Sequence, residues 1–476
     1  MPFTKTVGAA LCGLCLGGIV GLSNQALAGE KTNQADLDAA VAALGAKGAT
    51  LPYEVMRSDI PDAKRPGKTI EIRNGGYGSA MAPHPAVANQ FYVLTDRGPN
   101  GDYKGEQGKG KIFPDPDYTP RIGLFELQKD GSVKLLKAIL LRRPDGTPIT
   151  GLPNLSGLGG TGETPYQADG KPVVKDPSKP YNDDKASPDY NPIRLDEYGL
   201  DGEGLVALSD GTFWVSDEYG PHIVHFDAEG KEIGRINAFA KDERSNIKLP
   251  AEFAHRRANR GMEGLAVTPD EKTLAGVMQS AMHNPDKSVQ KLDLTRIVTV
   301  NLTTGAVSQY LYKQDKPANS NSELAGLPDG KFLIIERDGA FASEKPKAQK
   351  KVFRIDLSTG TDLEKVAAAG TSQDEALGLL IDGKTVEQAV LDGGWEALAA
   401  KGIKPVDKVE VLDMVAATGY PHDKMEGLWV MGKDRLGVVN DDDFALWSDD
   451  NKLEQKYLDE KTIDGDTLYV VTIKPE

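Results

Sequence analysis

Apolar and polar residues alternate along short stretches of this chain, and these stretches recur as a unit. Each unit places an acidic or polar residue beside a short apolar strand, turns tightly, and ends a second apolar strand at another acidic or amide-rich cluster. The clearest copies begin at Asp201, Met262, Ser322 and Met425, and a degenerate copy begins at Tyr77. An alternating third strand follows each copy, at residues 121–127, 222–227, 296–302, 352–357 and 467–473. The pattern is typical of repeated antiparallel hairpins.

Self-similarity at tens of residues, with two to four strands per copy, predicts an all-β fold, a β-propeller of five or six blades. Residues 141–200 and 371–424 are long enough to contain a sixth, irregular unit. The fifth unit ends with the chain, so its outer strand is expected from residues 53–57 or 69–73. The pattern also predicts a long polar insertion at residues 165–192 and short inserted helices within 384–417. These helices wall the central opening or pack on the outside. A β-sandwich with repeated hairpins is the alternative fold.

The N-terminus has the features of an export signal. Lys5 precedes an apolar run, and Ala26-Leu-Ala28 is a small-residue cleavage site, so residues 1–28 are predicted to be a signal peptide. Residues 29–68 form a lead-in and residues 69–476 the propeller domain. The mature protein is expected in the periplasm or outside the cell. Both cysteines, Cys12 and Cys15, lie in the peptide, so no disulfide is expected, and no later run is apolar enough to span a membrane.

Charge narrows the choice of partners. Removing residues 1–28 leaves 55 basic and 71 acidic residues, a net charge of −16. Such a surface disfavours nucleic acid and anionic membranes as ligands. The chain also has no Gly-x-Ser-x-Gly elbow, no His-Glu-x-x-His pair and no EF-hand loop.

Hairpin geometry brings the acidic residues together. The start of the first strand and the end of the second lie at the same end, so Glu203 and Asp217 are expected side by side. Blades place their first strands at the central channel, so the acids of all units should meet at one mouth of it. Crowded carboxylates raise one another's pKa values unless a cation compensates them. The predicted metal ligands are Asp96, Glu203, Asp217, Glu263, Glu336, Glu426 and Asp441. Ligands that are all oxygen favour Ca²⁺, with another divalent cation as the alternative.

Two acids break the spacing. Glu203 and Glu263 lie seven residues before the turn aspartate of their unit. Glu323 lies six residues, and Glu426 eight residues, before their own. A slip of one residue turns a side chain to the opposite face of a strand. Glu323 is therefore expected to point into the interface between blades unless a bulge restores it.

The chain resembles the bacterial exported family described as having esterase-like activity of phytase, or phytase-like proteins. The resemblance rests on six motifs: Thr95-Asp96-Arg97-Gly98, Asp201-Gly-Glu203-Gly-Leu, Ser216-Asp-Glu-Tyr-Gly-Pro, Met262-Glu-Gly-Leu-Ala, Ile335-Glu-Arg-Asp338 and Met425-Glu-Gly-Leu. The resemblance implies a secreted propeller that hydrolyses phosphoric or carboxylic esters. The chain lacks the Asp-Asp-Pro-Ala motif of the calcium-dependent propeller phytases, so the resemblance does not specify phytate.

Basic residues beside the acids suggest a small anionic ester as substrate. Glu203 and Glu426 are candidate catalytic carboxylates, and Arg97 and Arg337, each directly after an acid, are candidate catalytic cations. The candidate substrate-binding residues are Arg260, Lys424 and His222, while His422 is a second histidine that could reach the mouth. The arginines either clamp phosphate oxygens, since Arg offers a bidentate fork, or only neutralise the acids.

Two other functions remain open. A calcium-dependent lactonase or carboxylesterase would use the same mouth with a more apolar rim, which Tyr219, Phe444 and Trp447 could supply. A propeller of the cell envelope that binds a ligand without catalysis would need the acidic ring only for rigidity.

Overall fold

The computed structural model describes residues 34–344 and 347–473 of the chain. The predicted signal peptide, with both cysteines, lies outside these residues. Within them, no helix has the length and apolar content needed to cross a membrane.

Five sheets, each with four antiparallel strands and one of them with a fifth strand, form the framework of the structure, which confirms a mostly-β fold. The first consists of Ala80–Pro83, Gln90–Leu94, Arg121–Leu127 and Val133–Leu140. The second consists of Gly202–Ala207, Phe213–Asp217, His222–Phe226 and Glu232–Asn237, with Ile247–Lys248 added in parallel at its edge. The third consists of Met262–Val267, Thr273–Met278, Leu294–Asn301 and Val307–Lys313.

The last two sheets take one strand each from a distant part of the chain. The fourth consists of Ser320–Gly326, Phe332–Arg337, Lys350–Asp356 and Asp407–Asp413. The fifth consists of Gly427–Val430, Arg435–Val439, Thr467–Thr472 and the N-terminal strand Ala49–Thr50. The predicted third strands are therefore confirmed in all five units.

The outer strand of the fifth sheet does come from the N-terminus, but from a different segment than predicted. Ala49 and Thr50 pair with Leu468 and Thr467. The backbone N–H of Leu51 continues the pairing to Asp466 O at 2.8 Å, and Pro52, which has no N–H to donate, then follows. The two predicted segments instead form Val55–Arg57 and Ile72–Arg73, which pair with each other.

Neither long stretch forms a sixth four-stranded sheet within the described residues. From residues 141–200, Thr164–Tyr166 joins a small sheet with Gly101–Gly105 and Gly108–Ile112. Residues 371–424 supply Asp407–Asp413 of the fourth sheet and a small sheet of Thr371–Asp374, Gly378–Ile381 and Lys384–Thr385. A further hairpin is formed by Leu446–Asp449 and Lys452–Gln455.

The helices lie around the sheets. Residues 34–44 are helical, and α-helices span Val386–Ala399 and Met414–Thr418. Short 3₁₀ helices occur at Ser156–Leu158, Ala251–His255, Lys287–Val289, Leu357–Thr359 and Leu363–Lys365. The helix Val386–Ala399 packs its apolar side on Leu294 and Leu311 of the third sheet. It also pairs Glu387 with the buried Arg296, at 2.8 Å between Oε1 and Nε. The inserted helices therefore pack on the outside of the sheets.

The first strands of the five sheets are neighbours around a common centre. Each contacts the first strand of the next sheet, and the first strand of the fifth sheet contacts that of the first. The approach is close enough to require glycine: a Cβ on Gly204 would lie 2.6 Å from Leu265 N, and one on Gly264 would lie 2.5 Å from Leu324 N. Because the first strands meet here, the residues at their starts are brought to one place.

The N-terminal helix should contribute to the stability of the fifth sheet. Leu37 is 2% exposed and packs in a cluster with Leu51, Trp429 and Leu468. Truncating a buried leucine costs about 2–5 kcal/mol, so Leu37→Ala should lower the free energy of unfolding by that amount. Urea unfolding followed by circular dichroism measures it. The control Ala39→Ser, at an exposed position of the same helix, should stay within about 0.5 kcal/mol. An unchanged midpoint for Leu37→Ala would show that the helix is not docked.

Candidate functional site

A repeated β-bulge aims the acidic residues of the first strands. In the second sheet Gly202 pairs with Asp217 and Gly204 with Ser216, so Glu203 is the extra residue between them. The third sheet repeats this bulge at Glu263. In the fourth sheet the extra residue is Ser322, which accepts a hydrogen bond from Arg337 Nε at 2.8 Å. A bulge re-aims a side chain, and here it directs both glutamates into one cavity.

The ends of the second strands supply the other side chains of the cavity. Asp217, Met278 and Glu336 each pair with the residue before the bulge. Since successive side chains alternate between faces, the residue after each of these points the other way. Those next residues are Glu218, Gln279 and Arg337, and all three line the cavity.

The cavity, which we call the acidic mouth, has a volume of about 440 Å³. Its acidic lining residues are Asp96, Asp102, Glu203, Glu218, Glu263, Asp423, Glu426 and Asp443, and its basic ones are Arg97, Lys111, Arg260, Arg337 and Lys424. Asp201 and Asp441, both buried, adjoin it through ion pairs with Arg97 and Lys424. Carboxylates thus outnumber cations where the five sheets meet.

Glu203 is the least compensated of these carboxylates. Its side chain is buried, at 7% exposure, and forms no hydrogen bond or ion pair within the described part of the chain. Burial, followed by repulsion from Glu263, Asp201 and Glu426, raises the pKa of Glu203 well above its usual range. A buried charge without a partner is costly.

Two other glutamates have one oxygen engaged and one free. Glu263 Oε1 accepts a hydrogen bond from Gln279 Nε2 at 2.5 Å, whereas its Oε2 is buried with no hydrogen-bond partner in the described residues. Glu426 Oε1 is ion-paired with Arg337, and its Oε2 is likewise buried without a hydrogen-bond partner there. Burial raises the pKa of Glu426 to about 8. Both free oxygens belong to residues that line the acidic mouth.

The cations differ in how fully they are neutralised. Arg97 Nη1 lies 3.1 Å from Asp201 Oδ2, and Lys424 Nζ lies 2.6 Å from Asp441 Oδ2. Arg260 instead donates to Gln279 Oε1 at 2.9 Å and to Ser320 Oγ at 3.2 Å, and has no ion pair within the described residues. Arg260 is therefore the lining arginine that forms no direct ion pair, although its charge lowers the pKa values of the nearby Glu218 and Glu263.

Two sets of oxygens are spaced closely enough to hold a cation. One ligand atom each of Asp96, Asp201 and Glu203 lies within 4.8 Å of the others, and the same holds for Asp441, Asp442 and Asp466. Asp96 also accepts a hydrogen bond from Gly98 N at 2.7 Å. Burial, followed by repulsion from Asp441, raises the pKa of Asp96 well above its usual range.

Two of the predicted ligands point elsewhere. Asp217 accepts hydrogen bonds from the backbone N–H groups of Asp201 at 2.9 Å and Gly220 at 2.6 Å. Glu336 is bonded to Tyr312 Oη at 2.8 Å and Lys408 Nζ at 2.8 Å, between the sheets. Both occupy the strand position that Met278 fills in the third sheet, where side chains face away from the mouth. Assigning them as ligands was wrong by one residue in the strand.

The alternation of side chains along the strands also distinguishes the positions of the two arginines. Arg337 occupies the strand position of Glu218 and Gln279, whereas Arg97 follows Asp96, which itself lines the mouth. The two arginines, although each directly follows an acid in the sequence, therefore occupy different strand positions, and both side chains reach the cavity.

Neither histidine reaches the mouth. His222, predicted to bind substrate, is fully buried; its Nε2 donates to Leu158 O at 2.8 Å and its Nδ1 accepts from Asn237 at 3.2 Å. His422 is buried between Asp464 Oδ1 at 2.8 Å and Tyr469 Oη at 3.0 Å. Both assignments came from proximity in sequence, and buried hydrogen-bond partners occupy the rings instead.

Glu323, expected to point into the interface between neighbouring blades unless a bulge restored it, instead reaches the first strand of the first sheet across the centre. Its Oε1 accepts a hydrogen bond from Leu324 N at 2.8 Å, and its Oε2 accepts one from Met81 N at 3.2 Å. Met81 belongs to the first strand of the first sheet. The carboxylate therefore links first strands of two sheets at the centre of the molecule, and burial raises its pKa well above the usual range.

Several mouth residues were missed by sequence reasoning. They are Asp201, Glu218, Gln279, Asp423, Asp443 and Lys456. Lys456 lies beneath the mouth, 3.0 Å from Asp423 and 2.6 Å from Asp443. The signal that could have found Glu218 and Gln279 is strand parity: aligning the copies on Arg337 places both in register. Lys456 lies in a separate hairpin and has no such signal.

Comparison with known proteins identifies a family and a relative that match this chain. The model of the phytase-like family, described as esterase-like activity of phytase, matches residues 72–444. An uncharacterized secreted protein of the fungus Arthroderma benhamiae is 28% identical over 321 residues, covering 59% of this chain and 57% of the relative. The match thus spans less than two thirds of the relative's length.

The solved structures that align with this chain are distant. The PQQ-bound aldose sugar dehydrogenase of Streptomyces coelicolor aligns at 12% identity and a TM-score of 0.31, covering 89% of this chain and 98% of that one. The calcium-binding protein regucalcin of Agrobacterium tumefaciens aligns at 10% identity and a TM-score of 0.32, covering 90% and 96%. At this level of similarity they say nothing about what this chain binds.

The family match covers most of the chain and includes the lining residues from Asp96 to Asp443. The protein belongs to the phytase-like family.

Proposed function

We propose that this protein is an exported, calcium-dependent hydrolase of small phosphoric esters, and that its five sheets are the blades of a five-bladed β-propeller with the active site at the acidic mouth. The export signal in the sequence and the description of the fungal relative as secreted support the location. The cyclic contacts of the first strands support the propeller.

The observation that carries the proposal is the unpartnered carboxylate of Glu203, at 7% exposure, beside free oxygens of Glu263 and Glu426. Keeping unpartnered carboxylate oxygens of three glutamates around one cavity lowers the stability of the fold. Such an arrangement is typical of a site that binds a positively charged ligand. A role limited to rigidity would be better served by full neutralisation.

The donor set fits a hard divalent cation. Both clusters of closely spaced oxygens consist of carboxylates, and in one of them Asp96, Asp201 and Glu203 place one oxygen each within 4.8 Å of the others. Oxygen ligands in a flexible arrangement favour Ca²⁺ over transition metals. The chemistry such an ion supplies when bound is charge stabilisation at a phosphate oxygen and a lower pKa of water.

The protein's own residues would then bind and orient the ester. Arg260 forms no direct ion pair in the described residues and can donate two N–H groups to a non-reacting phosphate oxygen pair. Arg337 is held by Ser322 and Glu426, so it presents its remaining surface in a fixed orientation. Fixed donors stabilise the charge that develops as the bond to the leaving group breaks.

A carboxylate is also available to take the proton of the attacking water. Glu426 Oε2 has no hydrogen-bond partner in the described residues, and Arg337 fixes the other oxygen. As the water oxygen forms its bond to phosphorus, this oxygen accepts the proton, and the ester oxygen leaves with its electron pair.

A substrate panel tests the function. Rates on p-nitrophenyl phosphate, bis-p-nitrophenyl phosphate, p-nitrophenyl acetate and a lactone are measured with Ca²⁺ and with EGTA. The proposal expects calcium-dependent turnover of a phosphate ester. Turnover of only the acetate or the lactone would identify a carboxylesterase or lactonase, and no turnover of any substrate would favour a binding protein.

Calcium should stabilise the fold. Because a ligand that binds only the folded state adds RT ln(1 + [L]/Kd), free Ca²⁺ at about 100 times Kd should add about 3 kcal/mol. Differential scanning calorimetry in EGTA and in Ca²⁺ measures the shift in Tm. Identical curves would refute the metal site.

Glu203→Gln should distinguish the effect of carboxylate repulsion on stability from the effect of metal binding. The amide keeps the shape and removes the charge, so in EGTA at pH 8 the variant should be more stable than wild type by about 1–3 kcal/mol. It should also lose most of the Ca²⁺-induced shift in Tm and most of the activity. The control Asp102→Asn removes an exposed acid of the rim and should retain the shift. A Glu203→Gln variant with the full shift would exclude Glu203 as a ligand.

Arg260→Ala tests phosphate binding. Loss of a donor to the developing charge typically costs about 10²-fold in rate, so kcat/KM on the phosphate ester should fall by about that factor. Turnover of a neutral acetate ester should change far less. The control Arg257→Ala removes a nearby arginine that does not line the mouth, and should change the rate less than about two-fold. Equal losses on both esters would indicate a general collapse of the site.

A further inference from the structure

One wall of the acidic mouth is apolar, and it consists of a single exposed side chain. Among the lining residues only Leu446 and Trp447 are apolar. Leu446 is buried, whereas Trp447 is 40% exposed. Two aromatic residues expected at the rim do not contribute: Tyr219 and Phe444 are both fully buried. Trp447 is thus the one large apolar surface open to a ligand in this cavity.

The backbone holds Trp447 in a defined place. It lies in the hairpin Leu446–Asp449 and Lys452–Gln455, where it pairs with Glu454. This hairpin is fixed to the strand Gly101–Gly105, since Asp102 N donates to Ser448 Oγ at 2.7 Å. A second bond runs from Lys104 N to Asn451 Oδ1 at 2.8 Å. The indole is therefore attached to an ordered support rather than to a free loop.

A strained turn leads directly into this strand. Asp443, Phe444 and Ala445 have φ values of 53°, 59° and 59°, in the left-handed region that non-glycine residues rarely adopt. The turn is held by the Phe444 ring, which packs edge-on against Tyr118 with centroids 5.1 Å apart. Strain of this kind persists where the surroundings enforce it, often at functional sites. Here it places Asp443 and Trp447 on the same cavity.

The indole also lies near positive charge. Lys456 Nζ is 5.5 Å from the Trp447 ring centroid, and its ammonium is buried against Asp423 and Asp443. The indole N–H of Trp447 donates no hydrogen bond within the described residues. An exposed, ordered indole beside a charged cavity is suited to stack on a flat ring of a ligand whose anionic group is held by the cations.

We propose that Trp447 is a specificity-determining residue of the acidic mouth, and that the substrate is an anionic ester whose leaving group is a flat ring rather than a short alkyl chain. This inference rests on the proposed function for the anionic group. The ring contact itself depends only on Trp447.

The test compares 1-naphthyl phosphate with ethyl phosphate on wild type, Trp447→Ala and Trp447→Phe. For 1-naphthyl phosphate, KM should rise roughly 10-fold in Trp447→Ala, with kcat changed less than about two-fold, because stacking is lost without change at the reacting atoms. Trp447→Phe should restore most of the affinity. KM for ethyl phosphate should stay within about two-fold in all variants. Tyr190→Ala, at a similarly exposed aromatic outside the cavity (41%), is the control and should match wild type.

The outcomes separate this inference from the proposed function. If wild type hydrolyses both esters and Trp447→Ala affects them equally, the ring contact is wrong while the hydrolase remains. If wild type hydrolyses neither, the proposed function fails, and calorimetric titration with unreacted 1-naphthyl phosphate decides the contact: about 10-fold weaker binding to Trp447→Ala supports it. Equal binding to both proteins, or no binding to wild type, overturns it.

Discussion

Electrostatic repulsion among buried carboxylates is the constraint around which this molecule is arranged. The five first strands meet at one centre, and the bulges at Glu203 and Glu263 direct charge into the same cavity. Arg97, Arg337 and Lys424 offset part of this charge through ion pairs. Glu203 remains without a partner among the described residues. The remaining negative charge must be met by protons or by a bound cation, and so couples the stability of the whole sheet assembly to the contents of one cavity.

This coupling explains why the cations are interleaved with the acids instead of lying on a separate wall. A cluster of unscreened carboxylates would carry a large desolvation cost, which each arginine lowers for its own neighbour. Arg260 departs from this pattern, because it is bonded to the neutral Gln279 and Ser320. A positive group that forms no direct ion pair is available for a ligand.

The hairpin repeat was readable in the sequence because two local signals recur. A Glu-Gly-Leu start occurs in three copies, and an acidic end of the second strand occurs in four of the five. These predicted the third strands and placed Glu203, Glu263 and Glu426 correctly at the mouth. What sequence reasoning could not decide was which of two adjacent residues faces the cavity. The bulge adds one residue to the first strand and shifts the parity, so Glu218 enters the mouth and Asp217 does not.

Features formed by long-range contacts were harder to predict. The outer strand of the fifth sheet is only two residues long, Ala49–Thr50, and its partner lies more than four hundred residues away. So short a strand has no periodicity to detect. Likewise, His222 and His422 lie near the acidic motifs in sequence, yet their rings are held by Leu158 and Asp464 in the interior.

The position of Glu323 bears on the route by which a ligand reaches the acidic mouth. Its carboxylate bridges the backbone N–H groups of Met81 and Leu324 at the centre where the first strands meet. A carboxylate anchored there lies on the axis where the five first strands meet. In the hydrolase that we propose, substrate would then enter and product would leave past Trp447 and the charged rim, so the rate of product release would depend on the same side chains that select the substrate.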